Sequence, residues 1–166
     1  MDIYNTNTLI NEQTGKLAFK LSSFEDDCQF CSLKRFSYYS LIWVKKGSGT
    51  AKIDFAEFDF TADTMFAITP YQPFSLLEKE KIEGVVLNFH PDFFCIHKHQ
   101  EQVACNGVLF NNIYSPPYFC VKDDIRGNLE MVLEQMRTEV QKSDLAQYDL
   151  LLSYLKIFLI TTIQKK

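Results

Sequence analysis

Apolar residues follow two different rhythms in this chain, and the switch between them limits the folds open to it. From Leu17 to Phe89 they come in short runs rich in aromatic and β-branched residues. These are Leu17–Ser22, Gln29–Leu33, Tyr38–Lys45, Thr50–Phe55, Glu57–Phe60, Met65–Thr69, Phe74–Glu78 and Gly84–Phe89. Short strands at this spacing, parted by turn residues, predict a sandwich or barrel. Gly47-Ser48-Gly49 reads as a hairpin turn, because glycine supplies the positive φ that such turns need. Pro70 and Pro73 bracket another turn. The polar stretch 1–16 reads as an N-terminal arm, and His90-Pro91 opens a short helical segment near 91–104.

Beyond Pro116-Pro117 the period becomes helical. In Asp123–Lys142 the apolar residues Ile125, Leu129, Val132, Leu133, Met136 and Val140 form one stripe at steps of three and four. Asp123 or Asp124 is the expected N-cap. In Leu145–Gln164 the apolar arc is much wider. Leu145, Tyr148, Leu151, Leu152, Leu155, Phe158, Leu159 and Ile163 fill one face, and Leu150, Tyr154 and Ile157 carry it round to a second. A helix apolar over more than half its circumference has two faces to bury. Its own domain takes one, and a second copy of the chain is the expected cover for the other, with Leu145, Tyr148, Leu151, Leu152, Leu155, Phe158 and Leu159 as the expected dimerisation residues. The expected layout is therefore an arm (1–16), a β-barrel (17–121) and an antiparallel two-helix hairpin (122–166).

The bulk composition narrows the function classes. The 166 residues carry a net charge of −4, so the chain presents no broad basic surface for a phosphate backbone. The 15 Phe and 8 Tyr suit a sheet-rich core or an aromatic cavity. Five cysteines at irregular spacing, and a polar start without a signal-like apolar run, predict reduced thiols and a cytoplasmic protein. Cys28-x-x-Cys31 lacks a second ligand pair for zinc and reads as small half-buried side chains. His90, His97 and His99 have no ligand-spaced companions and read as surface residues. No apolar run is long enough to span a bilayer.

Several segments together resemble AraC-type transcription regulators. Tyr39-Ser40-Leu41-Ile42-Trp43-Val44-Lys45-Lys46-Gly47-Ser48-Gly49 is similar to the family's barrel signature, which ends in Gly-x-Gly. Met65-Phe66-Ala67-Ile68-Thr69-Pro70-Tyr71-Gln72 resembles its next element. Leu87-Asn88-Phe89-His90-Pro91-Asp92-Phe93-Phe94 and Leu109-Phe110 resemble later ones. The resemblance implies a cupin-like double-stranded β-barrel, or jelly roll, followed by a helical dimerisation hairpin. It also implies a homodimer and an effector bound in the barrel, over which residues 1–16 close. DNA would be contacted only through a helix-turn-helix domain that this sequence does not contain.

The same resemblance bears on metals. Catalytic cupins hold a metal through His-x-His, a Glu and a later His. Counting back from Gly47 places Lys34 and Phe36 at the His-x-His positions and Ser40 at the Glu; Phe74 stands at the last His. An ammonium, a hydroxyl and two phenyl rings cannot hold a divalent ion. We therefore expect no metal, no cofactor and no catalytic group. If Ser40 faces inward, alternation turns Lys34, Phe36, Tyr38 and Ile42 inward too. Phe74 joins them by alignment, with Phe55 and Phe66 as neighbours. These eight residues are the candidate ligand site, with Lys34 as the anchor for an anionic group. Three readings stay open: an effector pocket, a barrel packed solid in a constitutive dimerisation module, and a stand-alone metal-free cupin enzyme.

Overall fold

The computed structural model describes residues 6–10, 14–25, 30–94, 110, 116–142 and 146–164. The strands are β1 (Thr6–Ile10), β2 (Leu17–Glu25), β3 (Tyr39–Ile53), β4 (Ala56–Phe60), β5 (Thr64–Ile68), β6 (Phe74–Phe89) and β7 (Tyr118–Cys120). Two helices follow, α1 (Asp123–Val140) and α2 (Gln147–Gln164). The strand order is β1-β2-β6-β3-β5-β7, with β4 also on β3, and the pairings are antiparallel. This is the expected mainly β architecture, a jelly-roll barrel followed by a helical hairpin.

Two long strands build the barrel. β3 and β6 pair from Tyr39↔Phe89 through to Ile53↔Phe74. The first half of β3 also pairs with β5, and its second half with β4. The ladder slips register three times between Val44 and Gly49, and such bulges bend a strand and raise its twist. Gly47-Ser48-Gly49 is thus a bulge inside one strand, not the turn its glycines suggested. Gly47 has φ +98°, and a Cβ there would lie 2.2 Å from the Lys81 carbonyl oxygen; at Gly49 the distance to the Leu77 oxygen would be 2.1 Å. Backbone approach explains the glycines, and the reversal falls later, at Asp54 (φ 55°). The segments Phe74–Glu78 and Gly84–Phe89 likewise merge into β6.

Two further expectations change. Within the segment expected as an arm, Thr6–Ile10 pairs with β2 as an edge strand. Gln29–Leu33 forms no strand over its described residues. Instead the Phe30 carbonyl accepts from Leu76 N–H, and the ring lies 5.4 Å from Phe24 and 5.8 Å from Phe74. The segment near 91–104 is described only to Phe94, where the His90 carbonyl accepts from Phe93 and Phe94 N–H in a single turn. Cys31 is disulfide-bonded, against the expectation of reduced thiols, while Cys120 is free and exposed.

Alternation along β3 divides two cores. Tyr39, Leu41 and Trp43 join Phe19, Leu21, Val85 and Leu87 on the outer face, which the hairpin covers with Leu129, Leu133, Met136, Leu155 and Leu159. Ile42 and Val44 point the other way, into the barrel, against Phe66, Phe74, Leu76 and Val86. The N-cap of α1 is Lys122, with no side-chain cap bond, and not Asp123 or Asp124. Those two carboxylates occupy the first turn, where the helix dipole favours them. At the other end the Gln147 amide donates to the carbonyls of Glu139, Val140 and Lys142, satisfying acceptors that a helix C-terminus leaves open. Among the described residues no helix is long and apolar enough to cross a membrane.

Candidate functional site

Seven of the eight candidate site residues gather along the barrel interior and its mouth. Lys34 and Phe74 exchange both backbone hydrogen bonds, at 2.8 and 3.0 Å. An antiparallel pair of that kind sets its two side chains on one face. The Phe36 ring lies 5.7 Å from Phe74 and stacks on Tyr38 at 5.1 Å. Lys34, Phe36 and Tyr38 are half-buried, whereas Ser40, Ile42, Phe66 and Phe74 are fully buried. Ile42 sits directly opposite Phe66 across the β3–β5 ladder. The cation thus stands at the rim and the hydroxyl inside.

Phe55 does not belong to this group. It follows Asp54 at the β3–β4 reversal and is wholly exposed, at 104%. The expectation took Phe55 as an interior neighbour at the end of a strand running from Thr50 to Phe55. The positive φ at Asp54 breaks the strand one residue earlier and turns the ring to solvent.

The interior is densely occupied by rings. Phe60 meets Phe66 edge-on at 5.4 Å, and Phe24, Phe30 and Phe74 form a chain of contacts below the Lys34 rim. The polar exception is Ser40, whose hydroxyl donates to Asn88 Oδ1 at 2.7 Å with both residues buried. Asn88 was missed in the sequence, although a lone amide in Val85-Val86-Leu87-Asn88-Phe89 is the signal that could have marked it. Burial pushes the Tyr38 hydroxyl above its ordinary value. Among the described residues Lys34 has no ion-pair partner. No three His, Cys, Asp or Glu side chains of the described residues stand close enough to share a metal ion. His97 and His99 lie outside the described residues.

The residues expected to dimerise fall differently. Leu151, Leu155, Phe158 and Leu159 are at most 1% exposed and pack in the outer core of their own chain. They are covered by the barrel and α1 and are not available to a partner. Leu152 is partly buried against the same core, and Leu145 lies outside the described residues. Tyr148 is 41% exposed, with its ring 4.9 Å from Phe93. What α2 leaves open is its other side, with Leu150 at 37% and Ile157 at 48% exposure, while Tyr154 between them is half-buried against the outer core. The wide apolar arc was read correctly, but its two sides were exchanged. A helical wheel has no reference direction until the helix is docked.

A latch the sequence did not suggest joins the barrel to the hairpin. Asp63, at φ 62°, accepts from Arg126 Nη2 at 2.5 Å and from Trp43 Nε1 at 3.4 Å. Arg126 also donates to Asp123 at 2.5 Å.

No protein-family model matches the sequence, and no curated protein matches it. Solved structures similar to it are cupin-fold proteins. One is a cupin protein from Bacteroides fragilis, 11% identical, with a TM-score of 0.39 over 44% of this chain and 66% of that one. A cupin 2 conserved barrel domain protein from Rhodopseudomonas palustris is 15% identical, with a TM-score of 0.40 over 51% and 59%. A salicylate 1,2-dioxygenase from Pseudoaminobacter salicylatoxidans is 12% identical, with a TM-score of 0.42 over 57% and 28%. The match thus spans less than two thirds of each of these three chains. Likeness at this level says nothing of activity.

Proposed function

We propose that this chain is the regulatory module of an AraC-type transcription regulator, in which the hairpin forms a homodimer and carries an effector signal to a DNA-binding domain. The observation that carries the reading is the apolar stripe left open on α2 after the helix has docked. Leu150 and Ile157 stand seven residues apart on one face of α2, the two-turn spacing of a helix–helix seam, with the partly buried Tyr154 between them. The signature segments from Tyr39 to Gly49 and Leu87 to Phe94 support the family; β3 carries the first, and the second runs from the end of β6 into the turn after it. In this reading the module binds and does not catalyse.

Sedimentation of the chain at micromolar concentration tests the dimer. The expected result is a dimer that Ile157→Glu converts to a folded monomer. A monomeric wild-type chain would sink the proposal. The regulatory half is tested by fusing the chain to a DNA-binding domain that needs dimerisation, with operator binding lost in the Ile157→Glu fusion.

The ring packing around Phe66 and Phe74 favours a second reading of the barrel. If it is packed solid, the module dimerises constitutively and its barrel admits no effector. Hydrophobic small molecules that fail to shift the amide resonances of Ile42 and Phe66 would support that version over a barrel pocket.

A further inference from the structure

A cleft of about 210 Å³ opens on the outer side of the barrel, between strands β2, β3 and β6 and helix α1. It is lined by Phe24, Gly84 and Val85 and by the polar Ser23, Glu25, Lys45, Lys46, Glu83 and Arg137, the Phe24 ring itself turning into the barrel. We propose that this cleft binds a small organic monocarboxylate.

Arg137 is the centre of the argument. Its side chain is only 16% exposed. Nη1 is held by Glu134, while Nη2 reaches the Ser23 hydroxyl only at 3.4 Å, and Nε is buried with no acceptor. A guanidinium has five donors in a planar fork. This one is fixed on one side and poorly satisfied on the side of Ser23. A carboxylate is the acceptor whose two oxygens match such a fork. Lys46 is 76% exposed and only loosely paired with Glu83, at 3.7 Å, so it can turn to an incoming anion. Lys45 is held more firmly, 2.6 Å from Glu130 and 4.8 Å from the Trp43 ring centre.

The charges along the wall decide the class of anion. Lys45, Lys46 and Arg137 face Glu25 and Glu83 across the same small volume. Glu134 and Glu130 already pair with Arg137 and Lys45, so the groups left to meet an anion are Lys46 and the Ser23 side of the Arg137 fork. A dianion such as phosphate meets two carboxylates at close range and is repelled. Val85, on the outer face, offers the apolar contact for a hydrocarbon body behind the carboxylate.

A ligand here would touch three barrel strands and α1 together. It could therefore bias how the hairpin sits on the barrel, by the difference in its affinity for the two arrangements. That consequence rests on the regulatory reading above; binding itself does not.

The test is an amide NMR titration of the full chain with benzoate, alongside benzamide and inorganic phosphate. Benzoate should shift Ser23, Lys46 and Val85 saturably below about 10 mM, while benzamide and phosphate do not at the same concentration. Arg137→Gln should weaken benzoate about tenfold, as the loss of one charge-assisted hydrogen bond implies. Glu83→Gln should tighten benzoate and admit phosphate, an effect that misfolding cannot produce. Absence of saturation, equal binding of benzamide or phosphate by the wild-type chain, or unchanged affinities in Glu83→Gln would each overturn the proposal. Sedimentation of the same samples keeps the two claims apart. A dimer indifferent to benzoate sinks the cleft alone, and a monomer that binds it sinks the regulatory reading alone.

Discussion

Glycine has opposite value at two positions in this chain. At Gly47 the backbone needs φ +98°, and a Cβ would meet the Lys81 carbonyl oxygen at 2.2 Å. Gly47→Ala should therefore cost several times the about 1 kcal/mol usual for a point mutation. Gly127 lies inside α1 with nothing within 4 Å of a built Cβ. Gly127→Ala should stabilise by about 0.5–1 kcal/mol, the difference in helix propensity. Urea unfolding of the pair checks both signs, and a destabilised Gly127→Ala chain would contradict the open surroundings of α1. Inside the barrel, Ser40→Ala leaves Asn88 Oδ1 without its donor, at a cost of about 1–3 kcal/mol. An unchanged urea midpoint would show that the pair contributes nothing net. Tyr38 sets a pH limit. Its folded value is raised by burial above the ordinary 10.0, so the folded state holds the proton more tightly than the unfolded chain does. Stability from this group is intact below pH 10 and falls as pH rises through the raised value. Tyr38→Phe should remove that alkaline loss in a series of melts. These residues were legible to different degrees. Ser40 and Tyr38 follow from alternation along one strand. Asn88 and the Lys81 carbonyl lie far off in sequence, and the ladder alone brings them near.

At the scale of elements, strands and helices were read well in kind and poorly in length. β3 and β6 were each expected as two strands, since glycines and charged residues interrupt their patterns. The interruptions are real, but a bulged ladder spans them. Cross-strand bonds from Val44 to Gly49 hold a stretch whose local propensity is for a turn. The helices were located correctly because their apolar stripes are long and periodic. How α1 ends was not visible. Gln147 closes it from the next helix, through bonds to Glu139 and Val140 carbonyls at 3.3 and 3.0 Å. Gln147→Ala should cost about 1 kcal/mol, by analogy with the loss of other helix caps. Faster hydrogen exchange at the end of α1, with the barrel strands unchanged, is the expected signature. Uniform exchange across the molecule would mean that the hairpin and barrel open together.

For the whole molecule, the decisive question is which side of α2 meets the barrel. The buried side holds Leu151, Leu155, Phe158 and Leu159, and the open one holds Leu150 and Ile157. Leu159→Glu should unfold the chain, because a carboxylate would enter the core shared by barrel and hairpin. Ile157→Glu should leave it folded. If the open stripe joins two copies, the melting temperature of the wild-type chain rises with protein concentration, and that dependence vanishes in Ile157→Glu. A concentration-independent wild-type melt would count against the dimer.

The sequence by itself determined the barrel, the hairpin, the shared face of Ser40 and Ile42 and the excess of apolar surface on α2. Each depends on local periodicity, which a pattern of residue types carries directly. Only the tertiary structure decided the long bent strands, the exposure of Phe55, the inward side of α2, and the cleft where Arg137 stands over Ser23 and Lys46. Those depend on where distant segments meet, and a period defines a face without saying what lies against it.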